Sequence, residues 1–240
     1  MLFDGLTLPT ILIAVGAMAV GCAFQAAVGL GFALVAAPAL ALVDPLFVPG
    51  PLLLAGAALA AIMAHHEREA IDRPLLSVCL AGLAVGTVIG TVALQTFGGA
   101  DLQRLFGIVI LLAVAISLAG VSVAANLRNL LAASAISGIM GVMAGIHGPA
   151  IGLAFQNADP RVARAMLGGY FTVAYLLAVA ALYLIDAFGL PELGRTLVLL
   201  PGVAIGLACA PFTRRHVDRA KLRIAILAIA GISGIILVLK

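Results

Sequence analysis

Long stretches without a charged residue constrain this chain more than any other feature of its sequence. Residues 5–43 contain no Asp, Glu, Lys or Arg, and seven more such stretches follow, at 45–66, 74–100, 105–127, 129–158, 165–185, 196–213 and 224–239. A helix needs about 20 residues, at about 1.5 Å each, to cross the roughly 30 Å hydrocarbon core of a bilayer. With 64% hydrophobic and only 10% charged residues, the sequence predicts an all-α integral membrane protein and excludes a water-soluble domain.

Two of these stretches are too long for a single crossing, and glycines interrupt both. Residues 5–43 contain "AVGLGFA" at 27–33, and residues 129–158 contain "AGIHGPA" at 144–150. We therefore divide each stretch into a full helix followed by a short one. The sequence then predicts ten helical segments, at 8–27, 30–43, 46–64, 75–97, 102–121, 127–144, 148–157, 163–185, 195–212 and 221–239.

The distribution of basic residues indicates how the segments are oriented. If all ten segments cross the membrane, ten Lys and Arg residues lie on one side and three on the other. If the two short segments instead enter and return as half-helices, the division is eight against five. Because positive residues concentrate on the cytoplasmic side, the first arrangement predicts that both termini lie outside the cytoplasm. The half-helix arrangement stays open, because so short a segment barely spans a bilayer.

The sequence also repeats itself at a spacing of about half its length. "LVDPLFV" at 42–48 and "NADPRVA" at 157–163 each follow a broken segment, and "GLAVGTVIG" at 82–90 returns as "GVAIGLACA" at 202–210. We predict two membrane repeats, 1–122 and 123–240, within one transport domain. Each repeat holds five segments, so the second is inserted upside down. Inverted repeats with broken helices are typical of secondary transporters.

The two breaks are the predicted binding site. Non-helical backbone inside a membrane is tolerated only where protein buries it or where it lines a water-filled cavity. Glycine allows the positive φ angles and close approach of such a turn, and proline suits the first turn of the next helix. The free N–H groups and dipole of each half-helix then favour a small anion bound near the midplane between the two broken helices. The backbone candidates for substrate binding are Gly29, Gly31, Gly145, Gly148 and Pro149.

Two polar side chains near the breaks are further candidates for contact with the anion. His147 is either a neutral imidazole bonded to a backbone carbonyl, which tightens the kink, or a donor to the anion that also accepts a proton during transport. Gln25 lies one turn before the first break. It either donates an amide N–H to the same ligand or joins two helices.

Two other stretches have a structural and a functional interpretation. "GGYFTVAY" at 168–175 places Gly168, Thr172 and Tyr175 on one helical face. Tyr170, Thr172 and Tyr175 either line a pore or pack closely against another helix. "HHERE" at 65–69 has the residue types of a metal site, but its charges favour a solvated loop.

The sequence gives no support for catalysis. It has no nucleophile–base arrangement, no paired intramembrane acids and no phosphate-binding loop with lysine. We therefore expect no enzyme activity, no cofactor, no bound metal and no nucleic-acid partner.

These motifs resemble the TauE/SafE sulfite exporter family, small bacterial permeases built from two homologous halves. The residues that carry the resemblance are Gly29-Leu30-Gly31 followed by Pro38, Gly145-Ile146-His147-Gly148-Pro149, and the "GLAVG" and "GVAIG" ridges. The resemblance covers nearly the whole chain. Departures are Phe32 and Ala33 after Gly31, and His147 where a glycine is common.

The resemblance implies a multi-pass protein of the bacterial inner membrane that transports sulfite, an organosulfonate or a related small anion, commonly outward. We expect a secondary transporter, with a proton or sodium as the candidate coupling ion. An anion channel of the same architecture is the alternative.

Overall fold

The computed structural model describes residues 6–28, 31–96, 100–119, 124, 126–216 and 219–239, and in these residues the regular secondary structure is helical. Short 3-10 helices lie at Pro45–Phe47 and Arg68–Ala70. The α-helices within the described residues are α1 Leu8–Val28, α2 Phe32–Val43, α3 Gly50–His66, α4 Arg73–Thr96, α5 Ala100–Leu118, α6 Leu127–Ala144, α7 Gly148–Phe155, α8 Pro160–Leu184, α9 Leu190–His216 and α10 Arg219–Leu239.

Six helices in the described part of the chain are long and apolar enough to cross a membrane. They are α1, α4, α6, α8, α9 and α3 together with its preceding 3-10 turn. The chain is therefore an all-α integral membrane protein, as the sequence predicts. The second short segment, α7, has eight residues, which rise only about 12 Å. By length α7 is a half-helix, and α2 with 12 residues reaches about 18 Å.

Prolines and caps move three helix ends away from the predicted positions. The sequence predicts that the third segment begins at residue 46, but Pro45 starts a 3-10 turn, Val48 is extended and α3 begins only at Gly50. Proline restricts the residue before it to extended conformations, so Pro49 separates the two helices. In α8, Asp159 accepts the N–H groups of Arg161 and Val162 at 2.8 and 3.4 Å. This cap starts the helix at Pro160, three residues earlier than predicted.

A further difference concerns α9, which begins at Leu190, five residues earlier than predicted, and ends at His216, four residues later than predicted. Pro191 lies in its first turn, where a missing N–H costs nothing. Glu192 accepts the N–H of Gly189 at 2.8 Å, and an acidic residue there complements the helix dipole. These two residues extend the helix beyond its apolar stretch.

Glycines let two pairs of helices pack backbone to backbone. A Cβ on Gly202 would lie 2.6 Å from the carbonyl oxygen of Val15, so α9 lies directly on α1. A Cβ on Gly90, one turn after the "GLAVG" ridge, would lie 2.9 Å from the Cα of Ile139, so α4 lies directly on α6. The "GLAVG" and "GVAIG" ridges are therefore packing surfaces. Both pairs run in parallel, because later residues of one helix contact later residues of the other.

The central helices α3 and α8 cross antiparallel. Gly56 of α3 faces Tyr175 of α8, whereas Gly168 earlier in α8 faces Ala64 near the end of α3. Tyr175 lies about 22 Å along the axis from the start of α8 and about 14 Å from its end. The core at this level is therefore well inside the span of the longest apolar helices.

Candidate functional site

The two helix breaks lie next to each other in space. A Cβ on Gly148 at the start of α7 would lie 3.8 Å from the backbone nitrogen of Gly31 before α2. Gly31 and Gly145 have φ angles of 105° and 75°, which glycine adopts without strain. Both predicted breaks thus depend on a left-handed glycine. Gly29 lies outside the described residues.

Gln25 caps the helix that follows the first break. Its Oε1 accepts the N–H of Phe32, the first residue of α2, at 3.2 Å. The side chain is 1% exposed, and no described residue bonds to its Nε2. Gln25 therefore satisfies one backbone donor of α2 with its oxygen and keeps two amide N–H donors for another partner.

The second break begins α7 with Gly148 and Pro149, so the proline occupies the first turn as predicted. His147 immediately precedes them, and its backbone carbonyl accepts the Ser137 hydroxyl at 2.7 Å. This bond ties the break to the body of α6, ten residues earlier in the chain.

The His147 ring is fully buried beside Gly141 and Tyr175. Its centroid is 5.1 Å from that of Tyr175 in an edge-on arrangement, and a side chain at Gly141 would overlap it. Neither ring nitrogen has a hydrogen-bond partner among the described residues. A bond from the imidazole to a backbone carbonyl, one of the two interpretations of His147, is therefore not found among the described residues. The turn is tied to α6 through the carbonyl of His147 instead.

A narrow cavity separates the breaks. It holds about 190 Å³ of empty space, and no part of it admits a sphere the size of a water molecule. Its walls bring together five predicted site residues, Gln25, Gly31, Gly148, Pro149 and Tyr175, with three that sequence reasoning missed, Ala33, Leu34 and Ile146. The missed residues are apolar neighbours of the breaks, so only their position in the sequence could have indicated them.

Aromatic rings fix one side of this cavity. The Tyr175 ring stacks on Phe171, with centroids 5.5 Å apart and planes 3° apart, and meets the Phe32 ring edge-on at 5.6 Å. Gly56 gives the Phe32 ring its place, because a Cβ there would lie 2.5 Å from its Cζ atom. The rings leave the tyrosine little freedom to move while the breaks stay closed.

The remaining predicted residues point elsewhere. The Tyr170 hydroxyl donates to the carbonyl oxygen of Ser134 on α6 at 3.3 Å, and the Thr172 hydroxyl donates to that of Gly168 at 2.8 Å. Neither residue lines the cavity, nor do Gly145 and His147. The structure thus places Tyr170 and Thr172 in contacts within and between helices.

A known protein family matches nearly the whole chain. The family model described as "Sulfite exporter TauE/SafE" covers residues 12–237. Neither a curated protein nor a solved structure gives a significant match.

Proposed function

Because the chain belongs to the TauE/SafE sulfite exporter family, we propose that it is a secondary transporter that exports a small anion. The substrate class is sulfite, an organosulfonate or a related organic anion. The anion binds between the two helix breaks, near the midplane of the membrane.

One observation carries this proposal: the starts of α2 and α7 meet at one cavity whose wall includes Gln25, a side chain whose amide nitrogen has no hydrogen-bond partner among the described residues. Helix starts present free N–H groups and the positive end of the dipole. The cavity wall contains no carboxylate to oppose an anion, as far as the chain is described. When the breaks separate enough to admit it, a small anion would therefore find donors from two helices and one side chain.

His147 has a proposed role behind this wall. Its two nitrogens lack partners within the described chain, and its ring touches Tyr175, which lines the cavity. We propose that the imidazole reaches the anion, or takes up a proton, when the breaks separate. A proton is then one candidate for the coupling ion, and sodium is the other.

The arrangement of helix pairs supports the proposed inverted repeat. When α1–α5 are matched with α6–α10, the parallel pair α1–α9 corresponds to the parallel pair α6–α4. The matched helices α3 and α8 run antiparallel, as do α5 and α10, where Gly107 faces Val238 and Gly234 faces Leu111. A two-fold axis in the membrane plane relates helices in both of these ways. In transporters with such a repeat, alternating access usually occurs by rocking of one half against the other.

Counterflow in proteoliposomes tests the proposal against the channel alternative. We expect labelled sulfite to enter vesicles faster when unlabelled sulfite is present inside. The binding site of a carrier then returns to the outer face with sulfite bound and is ready for the next labelled anion. An open anion channel shows no such acceleration, and its flux does not saturate in the same range. Protein-free vesicles serve as the control. Sulfite flux without this acceleration would show that the protein is a channel and not a transporter.

A further inference from the structure

A second cavity outside the proposed site contains an arginine that is poorly matched to its partner. About 850 Å³ of space, open to solvent, lies between α1, α3, α8 and α9. We name it the Arg164 vestibule, and its walls are Ala26, Ile62, Met63, His66, Glu67, Arg164, Leu207, Ala210 and Pro211. Ala26 directly follows Gln25 in the chain, so the vestibule and the cavity between the breaks have neighbouring residues of α1 in their walls.

The Arg164–Glu67 ion pair in this wall uses only half of the carboxylate. Arg164 Nε and Nη2 both contact Glu67 Oε1, at 2.9 and 2.8 Å. Glu67 Oε2 is buried and has no partner among the described residues. The two side chains are 27% and 21% exposed, so solvent and a small solute can reach the guanidinium.

A small oxyanion would fit this guanidinium better than Glu67 does. Guanidinium donors form a planar fork that matches two oxygens of one carboxylate, sulfite or sulfonate group. Glu67 offers the fork a single oxygen, whereas a free oxyanion can offer two. A side chain tethered at the site also competes with the free anion, because tethering gives it a high effective concentration.

We propose that the Arg164 vestibule is an entry site for the transported oxyanion, where Glu67 occupies Arg164 until the anion displaces it. This inference rests on the proposed function, since it takes the same substrate class. It adds a separate binding step, because Arg164 lies 11 residues before Tyr175 on α8, or about 16 Å along the helix axis.

A neighbouring ion pair provides a matched control. Arg161 and Glu69 join the same two parts of the chain, with Nη2 and Oε2 3.7 Å apart and side chains 62% and 83% exposed. Such an exposed pair is screened by water and contributes little. Loss of either residue should leave anion binding unchanged.

The test measures labelled sulfite in two ways, as equilibrium binding to the purified protein in detergent and as counterflow in proteoliposomes. In a two-site binding isotherm, we expect Arg164→Gln to weaken the vestibule step by about 10-fold or more, because a charged hydrogen-bond partner is lost, and to leave the dissociation constant of the site between the breaks unchanged. Glu67→Gln should strengthen binding several-fold, because the competing carboxylate is gone. The double variant should bind like Arg164→Gln, and Arg161→Gln like the wild type. Folded yield by size-exclusion chromatography accompanies each variant.

Arg164→Gln and Glu67→Gln should change sulfite affinity in opposite directions, and this distinguishes an entry site from an ion pair that is only structural. If the ion pair only holds the end of α3 to α8, both variants should change sulfite binding in the same direction. That result would overturn the inference. Unchanged binding in a well-folded Arg164→Gln protein overturns it too. If sulfite binding depends on Arg164 but the protein shows no counterflow, the entry site is supported and the transporter proposal is rejected. Wild-type protein that binds no sulfite would reject both.

Discussion

The two ends of the Gln25 amide have separable roles. The oxygen accepts the N–H of Phe32 and so caps α2, and the nitrogen has no hydrogen-bond partner among the described residues. A glutamate keeps an acceptor for this cap but lacks the amide N–H groups, and its charge is costly to bury in a side chain that is only 1% exposed.

We therefore expect Gln25→Glu to keep the α2 cap but to fold in lower yield, because an ionised carboxylate buried without a partner is costly. Its folded fraction should bind sulfite between the breaks at least about 10-fold more weakly than the wild type. Gln25→Leu should lose both binding and stability, because the α2 cap is lost as well, at a cost of about 1 kcal/mol. Sulfite dissociation constants and melting temperatures in detergent check both variants. Normal affinity in Gln25→Glu would remove Gln25 from the binding site.

His147 is the other residue whose role a pair of substitutions can decide. His147→Gln keeps a hydrogen-bond donor and cannot titrate. We expect it to keep sulfite binding and to flatten any pH dependence of transport that arises from proton uptake by the imidazole after the breaks separate. His147→Leu should bind about 10- to 150-fold more weakly. Uptake as a function of pH and dissociation constants check the two. If well-folded His147→Leu has the wild-type affinity, the ring only fills space beside Gly141.

At the scale of elements, the glycine ridges of α4 and α9 determine how close the helices come. A Cβ on Gly86 would overlap the backbone of Ala135, whose Cα would lie 2.7 Å away. We expect Gly86→Ala to destabilise the protein by roughly 1–3 kcal/mol, because α4 and α6 must separate. Gly16→Ala in α1 is the control, since a Cβ there would have no atom of another residue within 4 Å beyond its own helical turn. It should be neutral or stabilising by up to about 1 kcal/mol.

Thermal unfolding of the two alanine variants in the same detergent measures this difference. Equal melting temperatures would show that the α4–α6 interface tolerates a methyl group.

Sequence predicted the elements well because charge and glycine act locally. Within the described chain, each predicted segment corresponds to one helix, and the Asp159 cap accounts for the earlier start of α8. The meeting of the two breaks was not predictable in this way, because Gly31 and Gly148 are 117 positions apart. Nor did any local pattern indicate that the His147 ring would rest on Gly141, one glycine among many in this chain.

At the scale of the whole molecule, orientation is the property that the proposed inverted repeat depends on. Thr7 precedes α1 and Ala124 lies between α5 and α6, and both are exposed. If five segments cross between them, cysteines at these positions label from opposite sides of the membrane with an impermeant reagent. We expect Thr7→Cys to label from outside and Ala124→Cys from the cytoplasm.

The labelling requires a background in which Cys22, Cys79 and Cys209 are replaced, because Cys209 is exposed. Transport by the cysteine-free protein controls for its fold. If both positions label from the same side, the halves are parallel, and the two helix starts no longer approach the anion from opposite directions.

The packing of α1 on α9 has a consequence for how the protein is made. About 180 residues separate the starts of these two helices. At about 5–20 residues per second, the ribosome therefore begins α9 roughly 10–35 s after it begins α1. Until then the surface of α1 that will receive Gly202 has no partner from its own half of the chain. We therefore expect that the first half does not reach its final packing before the second is inserted, and that a chain cut between α5 and α6 accumulates only when both pieces are synthesised together.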